Sequence, residues 1–179
     1  MQNVMHEFAE AAVMEIQEVD LTQLVRESID YVHPSQERIV NLVAPDESVM
    51  VNVDPRRIQR IVRNLVTNAI DHRNGKTVEV RVAVNENEAA VGVRDFGDGL
   101  SAEETLRVFD RFWRKDPART RGRGSSGLGL SIAKEDTNLH HGTLEAWGRP
   151  QQGAHFVLTI PRHPGGVIQN HPIEVNPEI

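Results

Sequence analysis

The sequence predicts an α/β domain in which helices cover one face of a mostly antiparallel sheet. Three observations predict this class: an amphipathic helical pattern over residues 54–75, a hairpin pattern over residues 77–95, and a second strand pair over residues 142–160. The 179 residues suit one domain with its own core, because domains typically have roughly 100–200 residues.

Composition excludes several other classes of protein. Lys and Arg number 20 against 26 Asp and Glu, so the net charge is −6, and there is no cysteine. The sequence lacks the ~18 consecutive apolar residues of a membrane span, a signal-peptide pattern, and the thiols of a disulfide framework or thiolate metal site. We therefore expect a soluble domain in a reducing compartment. We expect no membrane contact and, given the mild acidity, no nucleic-acid partner.

The N-terminal third predicts helices and a strand pair. Residues 1–15 are rich in Ala, Glu and Met and predict a helix or the end of one. Leu21–Val32 has apolar residues at helical spacing, with Asp20 as a plausible N-cap. Arg38–Val43 and Ser48–Val53 are β-branched runs separated by four residues, which predict two strands paired through a turn.

The middle of the chain gives the clearest elements. Asp54-Pro55 places a cap and a proline where a helix start prefers them, and Gly75 ends that helix. Its apolar residues form one stripe: Ile58, Ile61, Val62, Leu65, Val66, Ala69 and Ile70. Thr77–Val84 and Glu88–Asp95 alternate apolar and polar residues around a short turn, which predicts a hairpin.

The C-terminal half is less regular. Residues 96–127 are punctuated by glycine and predict no regular element, whereas Leu128–His140 predicts a helix. Two strands are expected within residues 142–160. Four of the nine prolines lie from Pro161 onward, so residues 162–179 predict an extended tail without its own core. The predicted domain thus spans residues 16–161.

Basic residues cluster between Arg107 and Arg123. This segment holds seven basic and two acidic residues, a net +5, which leaves −11 for the rest of a chain whose total is −6. A solvated surface loop would explain the cluster. Because the segment runs directly into glycines, a phosphate-binding loop is the alternative.

Two asparagines on the central helix need an explanation. Asn64, Asn68 and His72 are spaced four apart, so they are neighbours on one face beside the apolar stripe. Asparagine is a poor residue for a helix interior because its amide competes for the backbone. Their amide oxygens suit a hard cation and its phosphate partners. Ordinary asparagines at the edge of a core would leave the same pattern, so both interpretations stay open.

The motif DFGDGL at residues 95–100 directly follows a strand. Gly97 and Gly99 let the backbone approach a neighbour closely or adopt positive φ. Asp95 ends an apolar strand and should be partly buried, and a buried carboxylate needs a donor, such as the amino group of a purine. An Asx turn with two turn glycines is the alternative interpretation.

The motif GRGSSGLGL at residues 122–130 leads into a helix. A glycine-rich loop before a helix N-terminus is typical of an anion site, and Ser125 and Ser126 add hydroxyl donors. A flexible linker is the alternative, although Leu128 and Leu130 alternate with glycine too regularly for one. No Gly-Lys-Ser/Thr follows, so this is not a Walker loop.

In this order the motifs resemble the histidine-kinase branch of the ATP-binding superfamily shared with the Hsp90 chaperones, gyrase and MutL. The matching segments cover most of residues 54–161 and are the N box (64–69), the G1 box (95–99), the F box (109–114) and the G2 box (124–130). A narrower resemblance, to MtrB-type sensor kinases of actinobacteria, rests on residues 64–72, 112–114, 135–136, 139–140 and 144–148.

The resemblance implies a two-layer α/β sandwich of the Bergerat type that binds ATP and Mg²⁺ between loops and helices. Asn68 would be the Mg²⁺ ligand and Asn64 its companion near the phosphates, with His72 and Arg73 beside them. Asp95 would accept a hydrogen bond from the adenine amino group, with Gly97 and Gly99 in the same motif.

Further residues would enclose the nucleotide. By the same resemblance, Leu100, Phe109 and Phe112 would form the wall of the base pocket or position a lid. The residues that would close over the phosphates are Arg114, Arg123, Gly124, Ser126, Gly127, Leu128, Gly129 and Leu130.

Three positions depart from the family pattern. Asp71 stands where many members carry Lys or Arg, so Arg73 would have to supply that contact. Ser125 replaces a usual glycine, which would stiffen the lid. Residues 135–138 are more polar than the usual helix, although the narrower resemblance shares Glu135-Asp136.

The resemblance leaves three activities to compare. In the hydrolysing branch a Glu four residues before the Mg²⁺-binding Asn activates water, and here that position is Asn64, which cannot act as a base. The resemblance therefore implies transfer of the γ-phosphate to a protein histidine. An ATPase or a non-catalytic nucleotide-sensing module of the same fold is the alternative.

The phosphoacceptor histidine is expected outside this chain. His6-Glu7-Phe8 is similar to the start of the acceptor motif, but residues 9–12 do not continue it. Residues 1–15 would then mark the end of a dimerisation helix, and no catalytic residue is expected on this chain. The expected partners are the dimerisation and phosphoacceptor domain of a homodimeric full-length protein and a response regulator. This chain would be its cytoplasmic domain, with the full-length protein in the cell membrane.

Overall fold

The computed structural model of the protein describes residues 13–115 and 128–179. Its strands are β1 (Gln17–Asp20), β2 (Val40–Val43), β3 (Met50–Val53), β4 (Val78–Val84), β5 (Glu88–Asp95), β6 (Thr143–Arg149) and β7 (Gly153–Pro161). Within the described residues the helices are α1 (Leu21–Val32), α2 (Pro55–His72), α3 (Ala102–Arg107) and α4 (Gly129–Leu139).

The strands form a mixed sheet and a small second sheet. The five-stranded sheet has the order β2-β4-β5-β7-β6, in which β2 and β4 are parallel and the other neighbours are antiparallel. β1 and β3 form a separate antiparallel pair. With the main helices packed on one face, this is the predicted two-layer α/β fold with a mostly antiparallel sheet.

The predicted pairing of β2 with β3 is wrong. β2 lies parallel to β4, and β3 pairs with β1, a strand that the sequence analysis did not predict. The backbone N–H of Leu21 donates to the carbonyl of Val49 at 2.8 Å, and Asp20 accepts from the N–H of Val49 at 3.2 Å. These contacts attach β3 to the β1–α1 junction, so the short segment before β3 is a crossing between sheets and not a hairpin turn.

The two long helices begin where their caps predict. Asp20 accepts from the N–H of Thr22 at 3.1 Å, and Asp54 accepts from that of Arg57 at 3.4 Å. Pro55 occupies the first turn of α2, where it costs no backbone hydrogen bond. Each helix buries one apolar stripe in the core, which confirms both predictions.

The expectation of no regular element over residues 96–127 is wrong for α3. Ser101 accepts from the N–H of Glu104 at 3.1 Å, and the Glu104 carboxylate accepts from the N–H of Ser101 at 2.9 Å. This reciprocal pair is a capping box, a local signal that was present in the sequence as S-x-x-E. The short helix positions the segment that follows it beside the end of the sheet.

The tail packs on the face of the sheet opposite the helices. Ile173 is buried with Ala90 and Val157, and the carbonyl of Val175 lies 2.7 Å from Nδ1 of His155. Every residue of β7 is therefore buried, because the core covers one face and the tail covers part of the other. Residues 162–179 form no helix or strand, as predicted, but they complete the domain's packing.

The N-terminal segment is described from Val13 onward. Residues 13–16 are not helical, and the N–H of Glu15 donates to the Asp54 carboxylate at 3.2 Å. The rest of the predicted N-terminal helix lies outside the described residues. Across residues 13–115 and 128–179, no helix has the length and apolar character needed to cross a membrane.

Candidate functional site

One pocket opens between α2, the ends of β5 and β7, and the segments that follow α3 and precede α4. It combines an apolar wall with a few polar groups, which is typical of a small-molecule site. The lining residues are Asn68, His72, Asp95, Gly99, Leu100, Val108, Trp113, Lys115, Leu130, Ala154 and Phe156. The structure thus brings together Asn68, His72, Asp95, Gly99, Leu100 and Leu130, six of the residues predicted from the sequence.

Asp95 is the buried acid of this pocket, with 2% of its surface exposed. Its carboxylate accepts from the N–H of Gly97 at 3.0 Å. Among the described residues none forms a salt bridge with it. Burial raises the pKa of Asp95 to about 6, while backbone hydrogen bonds from Gly97 and Ala154 and the nearby charges of Arg94 and Lys115 oppose that rise. A buried, incompletely neutralised acceptor at the end of a pocket is suited to bind a donor group of a ligand.

The two asparagines of α2 have different surroundings. The Asn64 amide donates to the carbonyl of Gly129 at 2.9 Å, which ties α2 to the start of α4. The Asn68 amide lines the pocket and makes no hydrogen bond with any residue in the described part of the chain. Asn64 thus has a structural contact, and Asn68 presents a half-buried amide to whatever occupies the pocket.

Glycines let three backbone segments meet at the pocket. A Cβ on Gly97 would lie 1.6 Å from the carbonyl oxygen of His72, so only glycine lets this loop pass the end of α2. Gly99 has a φ of +77°, and its Cβ would lie 1.8 Å from the carbonyl oxygen of Arg149. These glycines position the loop against its neighbours and so fix the floor of the pocket.

Helix α4 begins at the edge of the pocket. Leu128 is its N-cap and makes no side-chain capping bond, Gly129 starts the helix, and Leu130 lines the pocket. A helix start without a side-chain cap leaves N–H groups of its first turn for other acceptors. Arg123, Gly124, Ser126 and Gly127, which the sequence analysis placed over the phosphates, lie outside the described residues.

The remaining predicted residues do not line the pocket. Phe109 packs edge-on against Phe156 with ring centroids 6.0 Å apart, so it supports the apolar wall from behind. Phe112 is 69% exposed and has a φ of +65°.

The two predicted arginines within the described residues also lie outside the pocket lining. Arg73 donates to the carbonyl of Lys76 at 3.0 Å, and Arg114 is half-buried beside Trp113 in the chain. The basic group that does line the pocket is Lys115, which donates to the carbonyl of Gly99.

Five lining residues were missed by the sequence analysis: Val108, Trp113, Lys115, Ala154 and Phe156. Ala154 and Phe156 could have been found, because they occupy alternate positions of β7 that face the same side as the apolar core. Trp113 lies in the F box and Lys115 in the basic cluster, but the segment has no periodic pattern, so neither side chain was assigned to the site.

A resident metal site is not evident in this pocket. Over the described ranges, no three His, Cys, Asp or Glu side chains converge in a way that could hold a metal ion. Any cation here would depend on Asn68 and on oxygens that a ligand brings with it. The apolar wall, the Asp95 acceptor and the α4 start together favour a ligand with a flat base and an anionic group.

This arrangement of sheet, helices and glycine loops defines a nucleotide-binding domain of the kind found in histidine kinases. The mycobacterial sensor histidine kinase MprB superposes with a TM-score of 0.69 at 26% identity, covering 84% of this chain and 99% of that structure. The catalytic domain of histidine kinase ThkA superposes with a TM-score of 0.72 at 25% identity, covering 84% and 98%.

Residues 53–164 match the family described as histidine kinase-, DNA gyrase B-, and HSP90-like ATPase, so the chain belongs to that family. It is 45% identical over 172 residues to the sensor histidine kinase MtrB of Mycobacterium tuberculosis, which covers 94% of this chain and 30% of that protein. The signal transduction histidine-protein kinase AfsQ2 of Streptomyces coelicolor is 41% identical over 119 residues, covering 66% and 22%. The chain therefore spans less than a third of these relatives.

Proposed function

We propose that this chain binds Mg-ATP in the pocket at Asp95 and, within a longer sensor kinase, supplies the γ-phosphate to a histidine on a separate domain. The observation that carries the proposal is the buried Asp95 carboxylate in a pocket with an apolar wall. Apolar walls suit the faces of a flat purine, and its amino group would supply a further donor to the carboxylate.

The base would be adenine and not guanine. Adenine carries an amino group where guanine carries a carbonyl oxygen. An ionised Asp95 would accept a hydrogen bond from the amino group of adenine, but it would face a second acceptor in the carbonyl oxygen of guanine. Leu100, Val108, Leu130 and Phe156 would contact the ring faces, since they form the apolar lining.

The phosphates would lie toward α2 and the start of α4. His72 and Asn68 line that part of the pocket, and the first turn of α4 presents N–H groups to an anion. Asn68 would hold Mg²⁺ through its amide oxygen, and the ion would neutralise phosphate charge there. Because the protein would contribute a single neutral oxygen, the metal should bind only together with nucleotide.

Phosphotransfer is favoured over hydrolysis by Asn64. Its amide is engaged with the carbonyl of Gly129 and has no basic form that could activate water. The relatives named sensor histidine kinases, MtrB and AfsQ2, also support transfer to a histidine.

The acceptor and the partners lie beyond this chain. We infer that residues 1–15 connect to a dimerisation and phosphoacceptor domain, that the full-length protein is a homodimer, and that a response regulator receives the phosphate. Residues 16–161 would form the ATP-binding domain, and residues 162–179 a tail attached to it. The domain would be cytoplasmic in a protein held in the cell membrane.

One reconstitution tests this function. The chain is mixed with ATP, Mg²⁺ and a separately produced acceptor domain of an MtrB-type kinase, and acid-labile, base-stable phosphate is measured on the acceptor. We expect labelling that needs both proteins and is lost in Asp95→Asn. Phosphate release without an acceptor would indicate an ATPase, and ATP binding without either reaction would indicate a nucleotide-sensing module.

A further inference from the structure

Arg94 lies on the face of the sheet away from the helices, one residue before the pocket acid. Its Nη1 donates to three backbone carbonyls: Asp95 at 2.7 Å, Gln152 at 2.9 Å and Ala154 at 3.4 Å. The first belongs to the pocket loop, and the other two belong to the β6–β7 turn and the start of β7. A single guanidinium group thus joins the two backbone segments that flank the Asp95 carboxylate.

Two aromatic rings hold this guanidinium in place. Its carbon lies 4.4 Å from the ring centroid of Phe96 and 4.9 Å from that of Trp147. Cations over aromatic rings at these distances are attracted to the ring face. Phe96 follows Asp95 directly in the chain, so the cluster also fixes the residue on the far side of the acid.

The joined segments are in close contact at Asp95. Asp95 pairs with Ala154 in the antiparallel register of β5 and β7. A Cβ on Gly153, which has a φ of +92°, would lie 2.1 Å from the carbonyl oxygen of Asp95. The backbone that carries the acid therefore rests on a glycine that Arg94 helps to hold, and a shift of either segment would move the carboxylate.

The charge of Arg94 acts on the same carboxyl group. It is one of the influences that lower the pKa of Asp95 against the larger effect of burial. Among the residues that the structure describes, Lys115 and the pocket residue His72 are further titratable or charged groups beside Asp95. His155 lies beside Arg94, opposite it in the β5–β7 register. Arg94 therefore favours the ionised form of Asp95, which is the form that accepts a hydrogen bond without donating one.

We propose that Arg94 is a positioning residue for nucleotide selection, which holds the Asp95 backbone against the β6–β7 turn from the opposite face of the sheet. This inference rests on the proposed binding of adenine at Asp95. It assigns a role in selectivity to a side chain that does not line the pocket.

The test measures the affinities for ATP and GTP as a function of pH in Arg94→Met and Arg94→Lys. Methionine removes the charge and the carbonyl contacts. We expect Arg94→Met to lower ATP affinity about threefold to tenfold at pH 7.5, the effect of one or two lost hydrogen bonds, with a matching fall in the ATP/GTP ratio. The pH at which ATP affinity is half lost should rise, because a nearby positive charge is gone.

Arg94→Lys separates geometry from charge. Lysine keeps the charge but lacks the planar group that stacks between the rings, so the ATP/GTP ratio should fall while the pH midpoint stays near that of the unmodified chain. Arg81→Met is the matched control, since Arg81 is an exposed arginine on the neighbouring strand, paired with Glu79 at 3.8 Å. It should change neither quantity.

The outcomes distinguish this inference from the function on which it rests. If the unmodified chain does not prefer ATP to GTP, the assignment of adenine to Asp95 fails. If it does, and Arg94→Met keeps both the ratio and the pH midpoint, the role of Arg94 is refuted. Should Arg94→Met not fold, Trp147→Leu removes one ring and no charge. It should then lower the ratio without moving the midpoint, and an unchanged ratio would overturn the proposal.

Discussion

Asp95 and Asp136 are both almost completely buried, with 2% and 1% of their surfaces exposed, yet their surroundings differ in kind. Asp136 on α4 is bound by Arg60 through two contacts of 2.7 and 2.8 Å and by Arg57 at 3.0 Å. Asp95 has a backbone N–H at 3.0 Å and, within the described residues, no salt bridge. The first carboxylate is neutralised by two arginines of the fold, and the second is the one that we propose accepts a hydrogen bond from the ligand.

The different contacts of the two carboxylates indicate different roles: stabilisation of the fold for Asp136 and the proposed ligand binding for Asp95. Arg57 and Arg60 on α2 and Asp136 on α4 join two helices that flank the pocket, and a buried pair of this kind stabilises the fold only while it is complete. His140 extends the connection, since its Nδ1 lies 2.8 Å from the Asp136 carbonyl and its Nε2 accepts from the N–H of Asp54 at 3.1 Å. Asp95, by contrast, costs the fold stability when it is ionised.

The largest expected effect is that of Asp136→Ala. Removing the acid deprives Arg57, whose side chain is only 17% exposed, of its contact at 3.0 Å and leaves it the longer contact with Asp54 at 3.4 Å. We expect a loss of about 3 kcal/mol in the free energy of unfolding, at the low end for a broken buried pair because Arg60 is half-exposed. Urea unfolding measures this.

Glu135→Ala is the matched control for that change. Glu135 is the neighbouring acid on α4 and pairs with Arg111 at 3.1 Å, but both side chains are exposed. An exposed pair of this kind contributes less than about 1 kcal/mol. Equal losses in the Asp136 and Glu135 variants would contradict the distinction between the buried and the exposed acid.

The next effect is the pH dependence of ATP binding. Since burial raises the pKa of Asp95 to about 6, its carboxylate becomes protonated below that pH and presents a hydroxyl where the base needs an acceptor. Affinity for ATP should be constant above about pH 7 and fall by up to tenfold for each unit below 6. Titrations in a series of buffers with matched ionic strength measure this.

The same titrations on Asp136→Ala provide the contrast. Asp136 is outside the pocket, so that variant should show the same pH midpoint as long as it remains folded at the temperature used. A midpoint that moves with Asp136 would show that the two acids act as one system.

A smaller effect concerns His140 and the stability of the fold. Burial lowers the pKa of His140, so the unfolded chain binds a proton more readily than the folded one. Its contribution to stability is therefore complete above the ordinary histidine value of about 6.5 and is lost as the pH falls below it. The raised pKa of Asp95 acts in the opposite direction, because that group favours the folded state as it takes up a proton near pH 6.

His140→Gln isolates the first of these trends. Glutamine keeps a donor and an acceptor but does not titrate. Unfolding measured between pH 7.5 and 5 should show a smaller loss of stability on acidification in this variant than in the unmodified chain. An identical or steeper loss would show that His140 is not responsible.

Local signals predicted most of the fold. The start of α2 follows from Asp54, Pro55 and one apolar stripe, and the β4–β5 hairpin follows from alternation around a short turn. The pairing of β2 and β3 could not be predicted, because it depends on partners distant in sequence: β4 for one strand and β1 for the other. Adjacency in the chain favoured a hairpin that the tertiary contacts override.

In the site, too, features set by neighbouring residues could be predicted, and pairings between residues distant in sequence could not. The burial of Asp95 was predicted from its place at the end of an apolar strand, and the structure confirms it. The polar character of α4 around Asp136 was recognised as unusual but not explained. Its partners Arg57 and Arg60 are 79 and 76 residues away in sequence, so no local pattern could have revealed the pairing.

The most direct test of the account measures stability and ATP affinity together on Asp95→Asn. At pH 7.5 the amide removes the cost of an ionised buried carboxylate, so the free energy of unfolding should rise by about 1–2 kcal/mol, with part of the gain offset by an unpaired amide N–H. ATP affinity should fall about tenfold or more, because a hydrogen bond to a charged group contributes roughly 1.5–3 kcal/mol. A variant that is less stable and still binds ATP normally would show that Asp95 is a structural turn residue and would contradict the account.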